Sequence, residues 1–171
     1  MNRVDFRYLV LSFIVFVLVQ LAILYKFVLL DTAIAFIYVG FLVFLPFKTS
    51  QVVQLSIGFL VGLFIDVFSN TPGMHAAASV LIMFLKDYWL LIVSDEVEEE
   101  INISVFTLGG FRSILFTFPL ILIHHLVIFS VEFGRWSGFL NVINKAFWSA
   151  ILSTFLILLI DLLIAKRKTR S

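Results

Sequence analysis

The sequence predicts an all-α integral membrane protein built as a bundle of six transmembrane helices. Hydrophobic residues make up 62% of the 171-residue chain and charged residues 13%, whereas soluble domains contain roughly 45–50% and about 25%. A soluble domain buries only roughly 70% of the surface of its unfolded chain, which is too little to hide so many apolar residues. The apolar runs are continuous, unlike the alternating strands of membrane barrels. Composition therefore excludes a soluble enzyme, a nucleic-acid-binding domain and a disordered chain.

Six apolar runs approach the length of about 20 residues that a helix needs to cross a bilayer. The second and third runs are the shortest. The first run, which follows Arg3 and Arg7, is too long for the core of a signal peptide, and we expect an uncleaved anchor. The linkers are short, so residues 1–171 are predicted to form a single transmembrane domain. The predicted spans are Tyr8–Tyr25, Asp31–Phe47, Val52–Phe68, Met74–Val93, Arg112–Val131 and Lys145–Ala165.

Basic residues are distributed unevenly between the two sides of the predicted bundle. Six spans place both termini on the same side, which then carries nine of the 12 Lys and Arg residues. Because basic residues near span ends favour the cytoplasmic side, we expect both termini in the cytoplasm. The larger group comprises Arg3, Arg7, Lys48, Lys86, Arg112, Lys166, Arg167, Lys168 and Arg170, and the smaller group Lys26, Arg135 and Lys145.

The third span carries a stripe of small and polar residues on one face. Gln54, Gly58, Gly62 and Asp66 follow one another at intervals of four residues, which drift only about 40° per step around a helix. The two glycines remove side chains and let another helix approach closely. An acidic residue within a membrane usually faces the bundle or water. The stripe predicts helix packing, and a role of Asp66 in binding a ligand or a proton remains the alternative.

A tight turn joins the third and fourth spans. Pro72 and Gly73 favour a reversal of the chain, because proline fixes φ and glycine permits a left-handed conformation. His75 follows in the first turn of the next helix. We expect the Asp66 carboxylate to pair with the His75 imidazole across the turn, either as a structural clasp or as a titratable switch. The small residues of Ala76–Ser79 are expected to pack against the glycine face.

Further ionisable residues lie inside predicted spans. Lys86 is expected to extend towards the cytoplasmic interface, as long basic side chains do. Asp87 points about 100° away from Lys86 on a helix, so the two should not form a facing pair. We expect Asp87 to find Arg112 or a backbone donor instead.

Two adjacent histidines, His124 and His125, lie in the outer half of the fifth span. Two metal ligands on one helix need a spacing of four residues, so this pair does not predict a shared metal ion. We expect structural hydrogen bonds, to partners such as Asp66 or Glu132, with a proton relay or a metal site as alternatives. No motif of a hydrolase, metalloprotease or nucleotide-binding loop is present. The sequence thus predicts a non-enzymatic protein without catalytic residues, cofactor or metal ion.

The stretch from Gly58 to Ala76 resembles the bacterial rod shape-determining protein MreD family. That family has a pattern like G-x-x-x-G-x-x-x-D, followed by a turn with P-x-G or P-G that opens the next helix. The chain length, the six-span layout, the short loops and the basic C-terminal tail are also similar. A second segment, from Phe118-Pro119 through His124-His125 to Glu132, resembles a later part of some members. The residues that match the first pattern are Gly58, Gly62, Asp66, Pro72 and Gly73, with His75 adjacent.

The resemblance implies a scaffold subunit of the cell-elongation machinery that directs peptidoglycan synthesis in rod-shaped bacteria. Such a subunit lies in the bacterial inner (plasma) membrane beside MreC, a bitopic membrane protein. The resemblance further implies links to the MreB filament, RodA and a class B penicillin-binding protein. It also implies a fold similar to the substrate-binding subunits of energy-coupling-factor vitamin transporters. The composition predicts no nucleic-acid partner.

Two other functions remain open at this point. A small-molecule (vitamin-like) carrier subunit would need a polar cavity open to the outer side, lined by Asp66, His75 and one of the two adjacent histidines. Such subunits dock their partner through small residues on the first span, where only Ser12 and Ala22 are small. This spacing disfavours a carrier. A proton or ion path through Asp66 and the histidines would rest on residue type alone.

Overall fold

The computed structural model describes residues 6–24, 28–29, 32–46, 49–94, 108–133 and 139–168. Two short strands, β1 (Val28–Leu29) and β2 (Ala33–Ile34), pair antiparallel with Val28 opposite Ile34. Two π-helical segments, Ile14–Leu18 and Gln20–Leu24, continue the first helix. The α-helices are α1 (Phe6–Phe13), α2 (Val39–Val43), α3 (Gln51–Ser69), α4 (Met74–Val93), α5 (Gly110–Phe133) and α6 (Phe139–Lys168).

Four helices are long and apolar enough to cross a membrane. They are α3, α4, α5 and the part of α6 from Phe139 to Leu163, with 19, 20, 24 and 25 residues and a mean hydropathy between 1.8 and 2.2. At a rise of about 1.5 Å per residue, such helices match the roughly 30 Å of hydrocarbon in a bilayer. The last four predicted spans are therefore confirmed as long apolar helices, consistent with a multi-pass membrane protein.

The bounds of α4 coincide with the prediction, whereas α6 begins at Phe139, six residues before the predicted start at Lys145. No helix-breaking residue separates these two positions, so the apolar segment continues the helix.

The first predicted span is helical but short. Its apolar part covers Val10–Ala22, which is less than the roughly 20 residues needed for a crossing. The predicted end at Tyr25 lies outside the described residues. The second π-helical segment begins with Gln20, whose buried side chain turns towards the middle of the bundle. Single π-helical turns are often found at functional positions in helices.

The second predicted span, Asp31–Phe47, is wrong as a continuous helix. Within residues 32–46, strand β2 is followed by an extended stretch, a turn and the five-residue helix α2. Residues 33–46, here called the central segment, are mostly buried between the long helices. The described residues thus contain four long apolar helices rather than the six that the sequence predicts.

Side chains of distant helices hold the extended part of the central segment. The N–H groups of Ile34 and Phe36 donate to the hydroxyl oxygens of Ser149 and Ser153, each at 2.9 Å. Gln20 accepts from the N–H of Ile37 at 2.7 Å and donates to the carbonyl of Ala35 at 3.1 Å. Non-helical backbone is tolerated at membrane depth only where its polar groups are buried and bonded. These three polar side chains meet that requirement.

The long helices pack around the central segment, and each one contacts the next long helix along the chain. Helix α4 packs against both α3 and α5, and α5 also packs against α6. Gly40 of α2 lies tightly between Phe16 and Ile157, since a Cβ there would be 2.7 Å and 2.9 Å from their side chains. The outer face of α3 is apolar and exposed, as at Leu60 and Val67. A bilayer solvates such a face, because lipid tails are as apolar as leucine.

Candidate functional site

The glycine face of α3 lies directly against α4. A Cβ on Gly62 would be 2.5 Å from the Cα of Ala76, and one on Gly58 would be 2.7 Å from the side chain of Met83 and 3.1 Å from the carbonyl oxygen of Ser79. Only a residue without a side chain allows this approach at Gly62, because the obstacle there is backbone. The glycine stripe therefore packs α3 against a neighbouring helix of the same chain.

Asp66, in the last turn of α3, caps the start of α4 with its side chain. Its Oδ1 accepts from the N–H of His75 at 3.0 Å, and its Oδ2 accepts from the N–H of Ala76 at 2.9 Å. The hydroxyl of Thr71 donates to the same Oδ1 at 2.8 Å. The first N–H groups of a helix lack partners within the helix, and its dipole favours a negative charge there. Asp66 supplies both the acceptor and the charge.

The expected pairing of the Asp66 carboxylate with the His75 imidazole is thus wrong: the carboxylate bonds the backbone of His75, not its ring. The reason lies in the turn between the helices. Gly73 has a φ of 80° and Asn70 a φ of 54°, and these two left-handed residues, with Pro72 between them, bring the start of α4 back over Asp66. The residue that precedes α4, Gly73, has no side chain to cap it. The cap therefore comes from α3.

The other end of the stripe forms a second polar cluster. Gln54 donates to Asp87 Oδ2 at 2.6 Å and to the carbonyl of Thr49 at 2.9 Å. The Nζ of Lys86 donates to the carbonyl of Leu45 at 2.9 Å, just beyond the end of α2, where carbonyls lack helical partners. Lys86 Nζ also lies 3.7 Å from Asp87 Oδ1.

Both predictions for this cluster need correction. Lys86 is only 1% exposed and does not extend to the interface, because the end of α2 offers it a buried acceptor. Asp87 accepts a hydrogen bond from the side-chain amide of Gln54 rather than from Arg112 or a backbone donor. The Nζ of the adjacent Lys86 also lies close to the Asp87 carboxylate, although the two residues were not expected to pair. The flexible lysine stem overcomes the angular separation of adjacent residues on a helix.

All three histidines of the chain converge on the central segment. The Tyr38 hydroxyl lies 2.9 Å from Nδ1 of His75 and 2.6 Å from Nε2 of His124. The ring of Phe36 packs between the imidazoles, with its centroid 5.0 Å from that of His75 and 5.1 Å from that of His125. Tyr38, His75 and His124 are here called the Tyr–His cluster. A phenol hydroxyl between two imidazole nitrogens can both donate and accept a proton.

His125 has a separate set of partners that fixes its tautomer. Its Nδ1 lies 2.8 Å from the carbonyl of Ile121, which only accepts, so Nδ1 carries the proton. Its Nε2 then accepts from Ser153 at 3.2 Å, while the Ser153 oxygen accepts the N–H of Phe36. The suggested histidine partners Asp66 and Glu132 are replaced by Tyr38, Ser153 and a carbonyl. Among the described residues, no three His, Asp or Glu side chains are grouped to hold a metal ion.

Sequence reasoning missed Tyr38, Phe36 and the residues that position them. The apolar composition of residues 32–46 concealed a buried, non-helical segment. One signal was available: Ser149 and Ser153 lie four residues apart and place two hydroxyls on one face of the last helix. Such a face indicates a polar partner within the bundle.

Apolar grooves lie on the outside of the part of the bundle that the structure describes. A groove of about 600 Å³ follows the seam between α3 and α4 and includes Phe59, Ala77 and Phe84 in its lining. A second groove of about 460 Å³ lies beside β2 and α6, near Ala33 and Trp148. Neither groove is lined by Asp66 or by a histidine, so the polar residues predicted to line a carrier cavity do not face these grooves.

The described residues form four apolar helices that are long enough to cross a membrane, with polar contacts buried between them, which is consistent with a multi-pass helical membrane protein. No protein-family model, curated protein or solved structure matches the chain.

Proposed function

We propose that the chain is a non-enzymatic scaffold subunit of the bacterial cell-elongation machinery, located in the inner membrane with both termini in the cytoplasm. The observation that carries this proposal is the use of Asp66. This residue is the only charged member of the motif that resembles the MreD family, and both of its carboxylate oxygens accept backbone N–H groups of α4. Because both oxygens of this carboxylate already accept hydrogen bonds from the backbone of α4, they support an architectural role for the motif.

The surface that partners contact follows from the packing of α3. Helix α4 of the same chain covers the glycine face, so we infer that a partner helix binds the opposite, outward face. That face carries Phe64, Val67 and Phe68, which are 37%, 71% and 55% exposed, and the rings of Phe64 and Phe68 meet edge to face with their centroids 4.9 Å apart. Proposed partners are an MreC-like bitopic protein and, through it, MreB, RodA and a class B penicillin-binding protein.

Co-purification tests the scaffold proposal. The affinity-tagged chain is isolated from its native membranes in a mild detergent, and mass spectrometry identifies what remains bound. We expect an MreC-like protein together with peptidoglycan-synthesis enzymes. Phe64→Ala should lower the recovery of the MreC-like protein, whereas Phe155→Ala, which changes an exposed phenylalanine on α6, should not. Unchanged recovery in both variants would contradict the proposed contact face, and absence of the MreC-like protein from the wild type would contradict the function.

One observation favours a vitamin-like carrier subunit as the second candidate. The central segment is a non-helical stretch inside a helical bundle, and transporters use such stretches to form substrate sites. A carrier would co-purify with transporter ATPase subunits and a tightly bound small molecule. Extraction of the purified chain followed by mass spectrometry of the extract distinguishes the two candidates.

A further inference from the structure

The Tyr–His cluster directs three metal-binding atoms at one point. The hydroxyl oxygen of Tyr38 lies 2.9 Å from Nδ1 of His75 and 2.6 Å from Nε2 of His124. The three side chains come from the central segment, from α4 and from α5. Zinc sites in proteins use imidazole nitrogens together with anionic oxygens. A phenol that has lost its proton is an oxygen ligand with the same charge as a carboxylate, so the cluster contains a suitable set of donor atoms.

The spacing of these atoms suits a metal ion. A four-coordinate zinc ion, with bonds of about 2.0–2.1 Å, holds its ligand atoms about 3.3 Å apart. To reach that separation, the two nitrogens must move away from the Tyr38 oxygen by roughly 0.4–0.7 Å. The ion takes the place of the shared hydroxyl proton. It therefore needs no cavity of its own, whereas an organic ligand would need one.

Polar atoms beside the cluster lack partners. Ser79 lies one helical turn after His75 and is fully buried. Its hydroxyl is near that of Tyr38 without meeting the geometry of a hydrogen bond, so its oxygen is available as a further ligand. Nδ1 of His124 is also buried without a partner. Unlike His125, which a carbonyl fixes in one tautomer, His124 can therefore present the unprotonated Nε2 that a metal ion requires.

The charge of a divalent ion is balanced at this position. Binding releases the hydroxyl proton of Tyr38 to the buffer and leaves a phenolate, while both imidazoles stay neutral. Asp66 supplies a second negative charge, because its Oδ1 accepts the backbone N–H of His75 at 3.0 Å. This carboxylate also interacts electrostatically with Tyr38. Two negative charges match the two positive charges of the ion, as a buried site requires.

The cluster lies close to one end of the bundle. His75 is the second residue of α4, and the turn that precedes this helix is exposed at Asn70, Pro72 and Gly73. An ion can therefore reach the cluster from water through a local opening of the turn, without crossing the bundle.

We propose that the Tyr–His cluster binds a divalent transition-metal ion of the zinc class. Imidazole ligands suit such ions, whereas magnesium and calcium take oxygen ligands. The described residues contain no group of three His, Asp or Glu side chains that could hold a metal ion, so the phenol of Tyr38 is an essential ligand. The ion fastens the central segment to α4 and α5, and its binding stabilises the folded chain.

Zinc titration of the purified full-length chain tests this proposal. The chain carries an affinity tag without histidine, is isolated in a mild detergent and is freed of metal with a chelator. We expect one Zn²⁺ ion to bind per chain and to raise the midpoint of thermal aggregation. The ultraviolet difference spectrum of tyrosinate should appear, because Tyr38 loses its proton. Tyr38→Phe should abolish that spectrum and weaken binding by about 100-fold or more, since losing even an outer partner of a metal ligand costs about 10–100-fold.

Matched variants separate this site from the rest of the chain. Tyr88→Phe changes an exposed tyrosine of α4, and it should bind zinc with the same tyrosinate spectrum as the wild type. His124→Phe removes a nitrogen ligand and should weaken binding as Tyr38→Phe does. The wild-type spectrum depends on no variant, so the test holds even where a variant fails to fold. Wild-type protein that binds no zinc, zinc binding without tyrosinate, or equal affinities of Tyr38→Phe and Tyr88→Phe would overturn the proposal.

Discussion

Gly62 and Ala76 bring the backbones of α3 and α4 into direct contact, so that a Cβ on Gly62 would lie 2.5 Å from the Cα of Ala76. This contact fixes the spacing of the hairpin on which the Asp66 cap depends. Close helix contacts of this kind replace the hydrophobic effect as a packing force within lipid.

Gly62→Ala should destabilise the protein by about 1–3 kcal/mol or more, the usual cost of overpacking, because the obstructing atoms are backbone and cannot rotate away. Gly110→Ala is the matched control, since nothing lies within 4 Å of a Cβ at that position. The midpoint of thermal aggregation in mild detergent measures the effect. Equal midpoints for the two variants would show that the close approach does not contribute to stability.

Asp66→Ala should lower stability by about 0.5–2 kcal/mol, the range measured for loss of a helix cap. Asp66→Asn should cost less, because its amide oxygen still accepts one N–H group. Ser56→Ala serves as the control, since that exposed hydroxyl bonds only a carbonyl of its own helix. The same thermal assay ranks the variants. If Asp66→Asn is as damaging as Asp66→Ala, the charge matters rather than the cap geometry.

Ser149→Ala and Ser153→Ala should each leave a partly buried backbone N–H of the central segment without its acceptor, at a cost of about 0.5–1.5 kcal/mol, the usual net contribution of a hydrogen bond. Hydrogen exchange measured by mass spectrometry should show faster exchange in peptides that contain Ile34 and Phe36. Ser130→Ala, at an exposed position on α5, should leave exchange unchanged. Protection that survives in the double variant would contradict the assigned bonds.

Lys86→Met should destabilise the bundle by about 1–3 kcal/mol, because it removes the donor to Leu45 and the positive charge near Asp87. Lys145→Met removes a more exposed ion pair with Glu132, and such surface pairs contribute only about 0–1 kcal/mol. Thermal midpoints of the two variants give the comparison. An equal loss in both would mean that Lys86 is effectively hydrated.

The proposed orientation can be tested by labelling, because the chain has no cysteine. Ser50→Cys and Ser69→Cys place one thiol at each end of α3. A membrane-impermeant maleimide added to intact cells should label the second variant and spare the first. Labelling of Ser50→Cys alone would reverse the proposed orientation.

The sequence predicted α3, α4, α5 and most of α6 because continuous apolar runs determine where a chain can form long membrane helices. It could not predict the central segment. Its backbone partners Ser149 and Ser153 are 115 and 117 residues distant from Ile34 and Phe36, and local composition carries no trace of such bonds. Apolar residues in this stretch fit a helix equally well.

The candidate site was predictable in its residues but not in its contacts. The spacing of Gly58, Gly62 and Asp66 placed them on one face, which follows from helix geometry. Whether Asp66 bonds a ring or a backbone depends on the turn conformation at Asn70 and Gly73. Tyr38, which connects two of the histidines, lies in a stretch whose high hydropathy predicted an ordinary transmembrane helix.

The anchoring of the central segment by the last helix has a consequence for biogenesis. Ile34 and Phe36 leave the ribosome long before Ser149 and Ser153 do, so their N–H groups lack these two acceptors during most of translation. These two bonds can therefore form only when synthesis is almost finished. A chain that is truncated before α6 would leave both N–H groups without a side-chain acceptor, so the extended stretch would lose its attachment to the bundle.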